Sequence, residues 1–115
     1  MDLSVFEQDE TCDVIIVDPT TGENTDVVVT VFSVDSKQYR KTAALIAKGD
    51  VKVEDGVYKL ASLTKSWKNV EFKDKELKLT VDNAMKLYTS CPFIYVQLEK
   101  VIFDRVKFMK ALPKA

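Results

Sequence analysis

Most covalent chemistry at neutral pH leans on an imidazole, and this chain of 115 residues contains no histidine. Serine or cysteine triads and the commonest metal sites therefore cannot be assembled from it. The acidic stretches "FEQDETCD" (6–13) and "VEDG" (53–56) hold enough carboxylates for a paired acid and base. Charged side chains ordinarily stay in water, so a solvated terminus and a solvated loop are the stronger reading. "DVKVEDG" (50–56) lacks the alternating oxygen ligands of a calcium loop. Gly22, Gly49 and Gly56 are too scattered to cradle a phosphate. Cys12 and Cys91 have neither zinc spacing nor the density of a disulfide framework and read as thiols. The expectation is a protein without catalytic residues, cofactor or metal, whose chemistry is contact.

Composition bounds the kind of contact. Seventeen basic and eighteen acidic residues leave a net charge of −1, so no global field draws the chain to nucleic acid or anionic lipid. An apolar fraction of 46% and a charged fraction of 30% fit one globular domain spanning 1–115. "MDLSVFEQDETCD" has no basic segment followed by an apolar run, and no stretch approaches a membrane span. A cytoplasmic protein is expected, and whether residues 1–11 are ordered or disordered stays open.

The fold class expected is α+β: an N-terminal β-hairpin (12–34), then a mostly helical part (35–112) of about four helices. "VIIVD" (14–18) and "VVVTVFSV" (27–34) are β-branched runs flanking the turn formers "PTTGENTD". Both faces of the second strand are largely apolar, so helices should cover at least one. A helix from about Ser36 to Lys48 should start at Asp35 as N-cap, with Gln38 as capping-box partner, Val34 stapled onto Tyr39, and Gly49 ending it left-handed. Residues 50–57 read as a loop. From Val57 to Lys68 the apolar spacing fits a helix with Trp67 in its last turn. "KDKE" (73–76) allows a short second hairpin within 70–79. Thr80 is a good N-cap for a helix over 81–90, and Pro92 suits the first turn of a final helix reaching about Leu112.

That last helix is apolar on two sides. Ile94, Leu98, Val101, Phe108 and Leu112 form the core stripe, flanked by Tyr95, Ile102, Val106 and Met109. Opposite fall Phe93, Val96 and Phe103, with Lys100 and Lys107 among them. Singly exposed apolar side chains are normal on a small domain, and the hairpin folding over this side would explain them equally well. Aromatic anchors bordered by positive charge also suit a segment of another chain, so these five are the candidate partner-binding residues. Trp67, Tyr88 and Phe108 are expected in the core.

The order Trp67, Val70, polar turn, Leu79, Thr80, Asn83, Ala84, Leu87, Tyr88, Pro92, Ile94, Gln97, Phe108 resembles the tail assembly chaperones of long-tailed bacteriophages. "DPTTGENTDVVVTVFSVDSKQYRK" (18–41) resembles their N-terminal module, so the likeness covers about residues 14 to 109. Family members often carry glycine where this chain has Asn69, and another in the turn written here as "KDK" (73–75). The resemblance implies a non-enzymatic protein of the infected host's cytoplasm. It would bind the tape measure protein and keep it soluble, help recruit the major tail tube protein, and be left out of the mature virion, while the exposed face of the last helix equally suits self-association into a homo-oligomer. Two other readings stay open: a tail terminator or head-tail joining ring, and a small ligand-binding or regulatory domain with a polar-lined groove.

Overall fold

Asp18 sets the first turn. Its Oδ1 accepts hydrogen bonds from the N–H and the hydroxyl of Thr20 at 2.8 and 2.7 Å, and Gly22, at φ +76°, returns its N–H to the Asp18 carbonyl at 2.8 Å. The left-handed backbone at Gly22 is one that side chains with a Cβ disfavour. On either side run β1 (Thr11–Val17) and β2 (Asn24–Phe32), antiparallel and in register from Thr11 opposite Phe32 to Ile15 opposite Val28. The computed structural model describes residues 1–49 and 55–110.

A third strand, β3 (Thr64–Lys68), joins the far side of β2, giving the order β1-β2-β3. The helix expected from Val57 to Lys68 therefore stops early: α2 spans Asp55–Ser62, and Trp67 lies on a strand opposite Val29. The ladder shifts between Thr30 and Val31, leaving Lys65 as an extra residue in β3. That bulge turns Thr64 and Trp67 onto one face of the strand, while Trp67, four residues past Leu63, stays in step with the apolar spacing of α2 and so reads as helix from sequence.

The inner sheet face presents Val14, Ile16, Val29 and Val31, all buried, to α2 and to α4 (Pro92–Ile102). The outer face is left open, with Ile15 half exposed beside Val28 and Asp13 accepting from the Thr30 hydroxyl at 2.6 Å. α1 (Lys37–Ala47) packs on α2, and α3 (Val81–Ser90) packs on α2 and α4. Together with Leu60, Leu63, Ala84, Leu87, Leu98 and Ile102, the inner face forms a single apolar cluster. Among the described residues the arrangement is α+β: a three-stranded sheet whose first two strands are a hairpin, four α-helices and a small second hairpin.

That second hairpin joins β4 (Glu71–Phe72) to β5 (Lys75–Glu76) through Lys73 and Asp74, at φ 55° and 63°. Two left-handed residues make the mirror-image turn that matches strand twist, here without the usual glycine. Asn69 is left-handed too, at φ 62°, and its side chain donates to the Asp26 carbonyl at 2.8 Å. Asparagine thus occupies the conformation in which glycine was expected.

The caps differ in part from expectation. Ser36, not Asp35, is the N-cap of α1: its Oγ accepts from Tyr39 N at 3.0 Å. Gln38 makes no capping box and donates instead to the Ser62 carbonyl at 3.2 Å. Asp35 pairs with Arg105 through two hydrogen bonds, 2.7 and 3.1 Å. Gly49 follows α1 at φ +71°, and Thr80 Oγ1 accepts from Asn83 N at 3.0 Å, both as expected. Of the loop expected at 50–57, residues 50–54 lie outside the described residues, and 55–57 belong to α2.

The last helix ends at Ile102 and does not continue toward Leu112, a residue outside the described ones. Asp104 interrupts it. Its carboxylate accepts from Val106 N at 3.2 Å and starts a separate 3-10 turn, Arg105–Phe108. Local capping by an aspartate competes with helix continuation and here prevails. Residues 1–11 are not left loose: Leu3–Phe6 form a 3-10 turn capped by Asp2, and the segment behind it lies along the end of the chain. Asp9 N donates to Phe108 O at 2.7 Å and Lys110 N to Glu7 O at 2.9 Å.

Candidate partner-binding surface

Phe93, Val96, Lys100 and Phe103 lie at helical steps of three, four and three, so they share one side of α4 and its C-cap. All four are exposed, Val96 at 48% and Phe103 at 52%. They are exposed because the opposite side is committed: Ile94, Leu98 and Ile102 are buried against the sheet and the other helices. Gln97, between the two sides, holds both backbone groups of Val17. Its Oε1 accepts from the N–H and its Nε2 donates to the carbonyl, each at 2.8 Å. This clamp fixes the rotation of α4, and with it the direction of the exposed row.

Lys107 is not part of that row. The break at Asp104 moves it to the separate 3-10 turn, where it is exposed beside the half-exposed Val106. Among the three expected core residues, Tyr88 and Phe108 are fully buried. Trp67 is only half buried and packs against the edge of the core, its indole N–H donating to the Leu77 carbonyl at 2.9 Å. It fastens the second hairpin to the sheet. The Tyr88 hydroxyl meets Thr64 Oγ1 at 2.7 Å while Thr64 donates to Leu60 O at 2.9 Å, so the tyrosine supplies the proton between them. Burial pushes the Tyr88 hydroxyl up to about 12.

Next to Phe103 opens a cleft of about 300 Å³ that periodicity did not reveal. Its walls are Tyr39 from α1, Leu60 and Leu63 from α2 and its end, and Tyr95, Ile102 and Phe103 from α4. Tyr39 and Phe103 meet edge to face with ring centroids 6.2 Å apart, and Lys59 sits 4.4 Å from the Tyr39 centroid. Such contacts hold rings in place at the mouth of an apolar hollow. A Cβ on Gly56 would collide with the Tyr95 hydroxyl, so glycine is what lets the tyrosine lie across α2. Burial, and then the neighbouring Glu99 carboxylate, push the Tyr95 hydroxyl above its ordinary range.

The arrangement offers shape and apolar area, with Lys59, Tyr95 and Glu99 among the groups that line the cleft. Among the described residues no three of the cysteine, aspartate and glutamate side chains come together as a metal site. No disulfide joins Cys12 to Cys91. No described helix is long and apolar enough to cross a membrane. Comparison of the chain with protein-family models, with curated proteins and with solved structures finds no match.

Proposed function

We propose that the protein is a tail assembly chaperone of the kind used by long-tailed bacteriophages: a non-enzymatic protein that binds the tape measure protein in the host cytoplasm, keeps it soluble and promotes tail tube assembly. One observation carries this reading. The exposed row Phe93, Val96, Phe103, with Lys100 among them, leads directly to the cleft walled by Tyr39, Leu60 and Tyr95.

A long helix with an apolar stripe aggregates unless the stripe is covered. A ridge of aromatic and aliphatic side chains next to an apolar hollow covers such a stripe in the helix-in-groove manner: one large side chain enters the hollow and its neighbours a turn away lie on the ridge. Lys59 and Lys100 at the margins favour acidic residues flanking the stripe. The ligand-binding reading has less support at this cleft. The cleft stands at the lower limit of ligand-site volumes and is walled mainly by apolar groups.

Co-expression of the long helical partner with wild-type chain and with Phe103→Glu tests the proposal. Phe103 is half exposed, so the variant should stay folded, losing about 1 kcal/mol from the Tyr39 ring contact. The partner should be soluble with the wild type and insoluble with the variant. Equal solubility with both would remove this surface from the function.

A further inference from the structure

We infer that the outer edge of β3 is a second recognition site, a strand slot that takes an extended acidic segment of a partner protein. It stands apart from the α4 surface and does not depend on the reading above.

Among the described residues the sheet order β1-β2-β3 leaves no further strand beside β1 or β3. On β1 the Gln97 amide already occupies both backbone groups of Val17. On β3 the hydrogen bond from Phe32 N to Leu63 O, 2.8 Å, sets the alternation of the ladder. Ser66 and Lys68, opposite Thr30 and Val28, direct their backbone groups to β2, and Trp67 directs its N–H and C=O outward. Beyond that edge lies a trough of about 690 Å³ whose far wall is the segment 76–79, with the indole bonded across to Leu77 O. Apolar lining comes from Trp67, Leu77 and Leu79.

Charge selects the occupant. Lys65, Lys68 and Lys78 line the trough against Glu76 alone, a local excess of positive charge on a chain of net −1. The ion pairs seen among the described residues, Asp35 with Arg105 and Asp9 with Lys110, involve none of these lysines. A peptide backbone can satisfy both the N–H and the C=O of Trp67, as strands added to a sheet edge do. A phosphate backbone offers acceptors and would leave that carbonyl unpaired. The added strand should alternate, with apolar side chains on the Trp67 side of the sheet and acidic ones on the Lys68 side.

The test uses the full chain and a short blocked peptide of alternating glutamate and valine. Comparators are the same peptide with lysine for glutamate, and oligothymidylate. Trp67 is the sole tryptophan, so its emission reports the trough directly. The glutamate peptide should shift that emission saturably and slow amide exchange at Trp67 while Ser66 and Lys68, already bonded to β2, stay unchanged. The lysine peptide should do neither. Lys65→Glu/Lys68→Glu should weaken binding about tenfold, and Phe103→Glu should leave it intact, which separates this site from the α4 surface. No saturable change by about 1 mM peptide would overturn the inference and leave the lysines as guards against edge-to-edge pairing. An equal response to oligothymidylate without protection of the Trp67 amide would overturn it in favour of nucleic acid.

Discussion

Thr64 and Tyr88 carry the sharpest energetic consequence of a single contact. The tyrosine hydroxyl is buried and donates to Thr64 Oγ1, so Thr64→Val strands a buried donor and should cost about 1–3 kcal/mol. The same burial predicts a pH dependence. A hydroxyl ionising near 10 when unfolded and at about 12 when folded contributes stability that is complete below pH 10 and lost as pH rises through 12. The full span is about 3 kcal/mol. Urea unfolding between pH 9 and 12 should show the loss in the wild type, and Tyr88→Phe should remove that component. Tyr88 and Phe108 are core as expected, although Phe108 reaches the core from the separate 3-10 turn and not along the apolar stripe of a continuous last helix. Trp67 was read as core as well, yet it serves as a fastener, since its partner is a backbone carbonyl that no side-chain pattern reports.

Element ends were legible where the capping residue had no competitor. Thr80 and Pro92 open α3 and α4 as read. Ser36 displaced Asp35 as a cap because Arg105, distant in sequence, takes the aspartate. The bulge at Lys65 disguised β3 as helix, and Asp104 ended α4 where an apolar period seemed to run on. The tight turn of the second hairpin holds a further prediction. Asp74 sits at φ 63°, a conformation that costs a residue with a Cβ roughly 1–2 kcal/mol and aspartate somewhat less. Asp74→Gly should therefore stabilise the protein by about 1 kcal/mol. A raised urea midpoint with unchanged slope would show it, and a lowered midpoint would mean the Asp74 side chain matters more than its backbone.

At the scale of the molecule, the α+β plan was readable and the candidate surface only half so. Helical spacing placed Phe93, Val96, Lys100 and Phe103 together, but it carried Lys107 with them across a break, and it missed the cleft altogether. A cleft whose walls come from α1, α2 and α4 leaves no trace in any one periodicity. Nor did the pairing of residues 7–9 with 108–110, which brings the beginning and end of the described chain together, show in either segment alone. The proposal to test first is that an amphipathic helix of the partner docks along α4 with a large side chain in the cleft beside Phe103. The measurement is amide and side-chain chemical-shift mapping of the labelled protein titrated with an amphipathic helical fragment of the tape measure protein. Shifts should concentrate at Phe93, Val96, Lys100, Phe103, Tyr39 and Tyr95, leaving β1 and the hairpin at 70–79 undisturbed. Shifts confined to other surfaces, or none at saturating fragment, would contradict it.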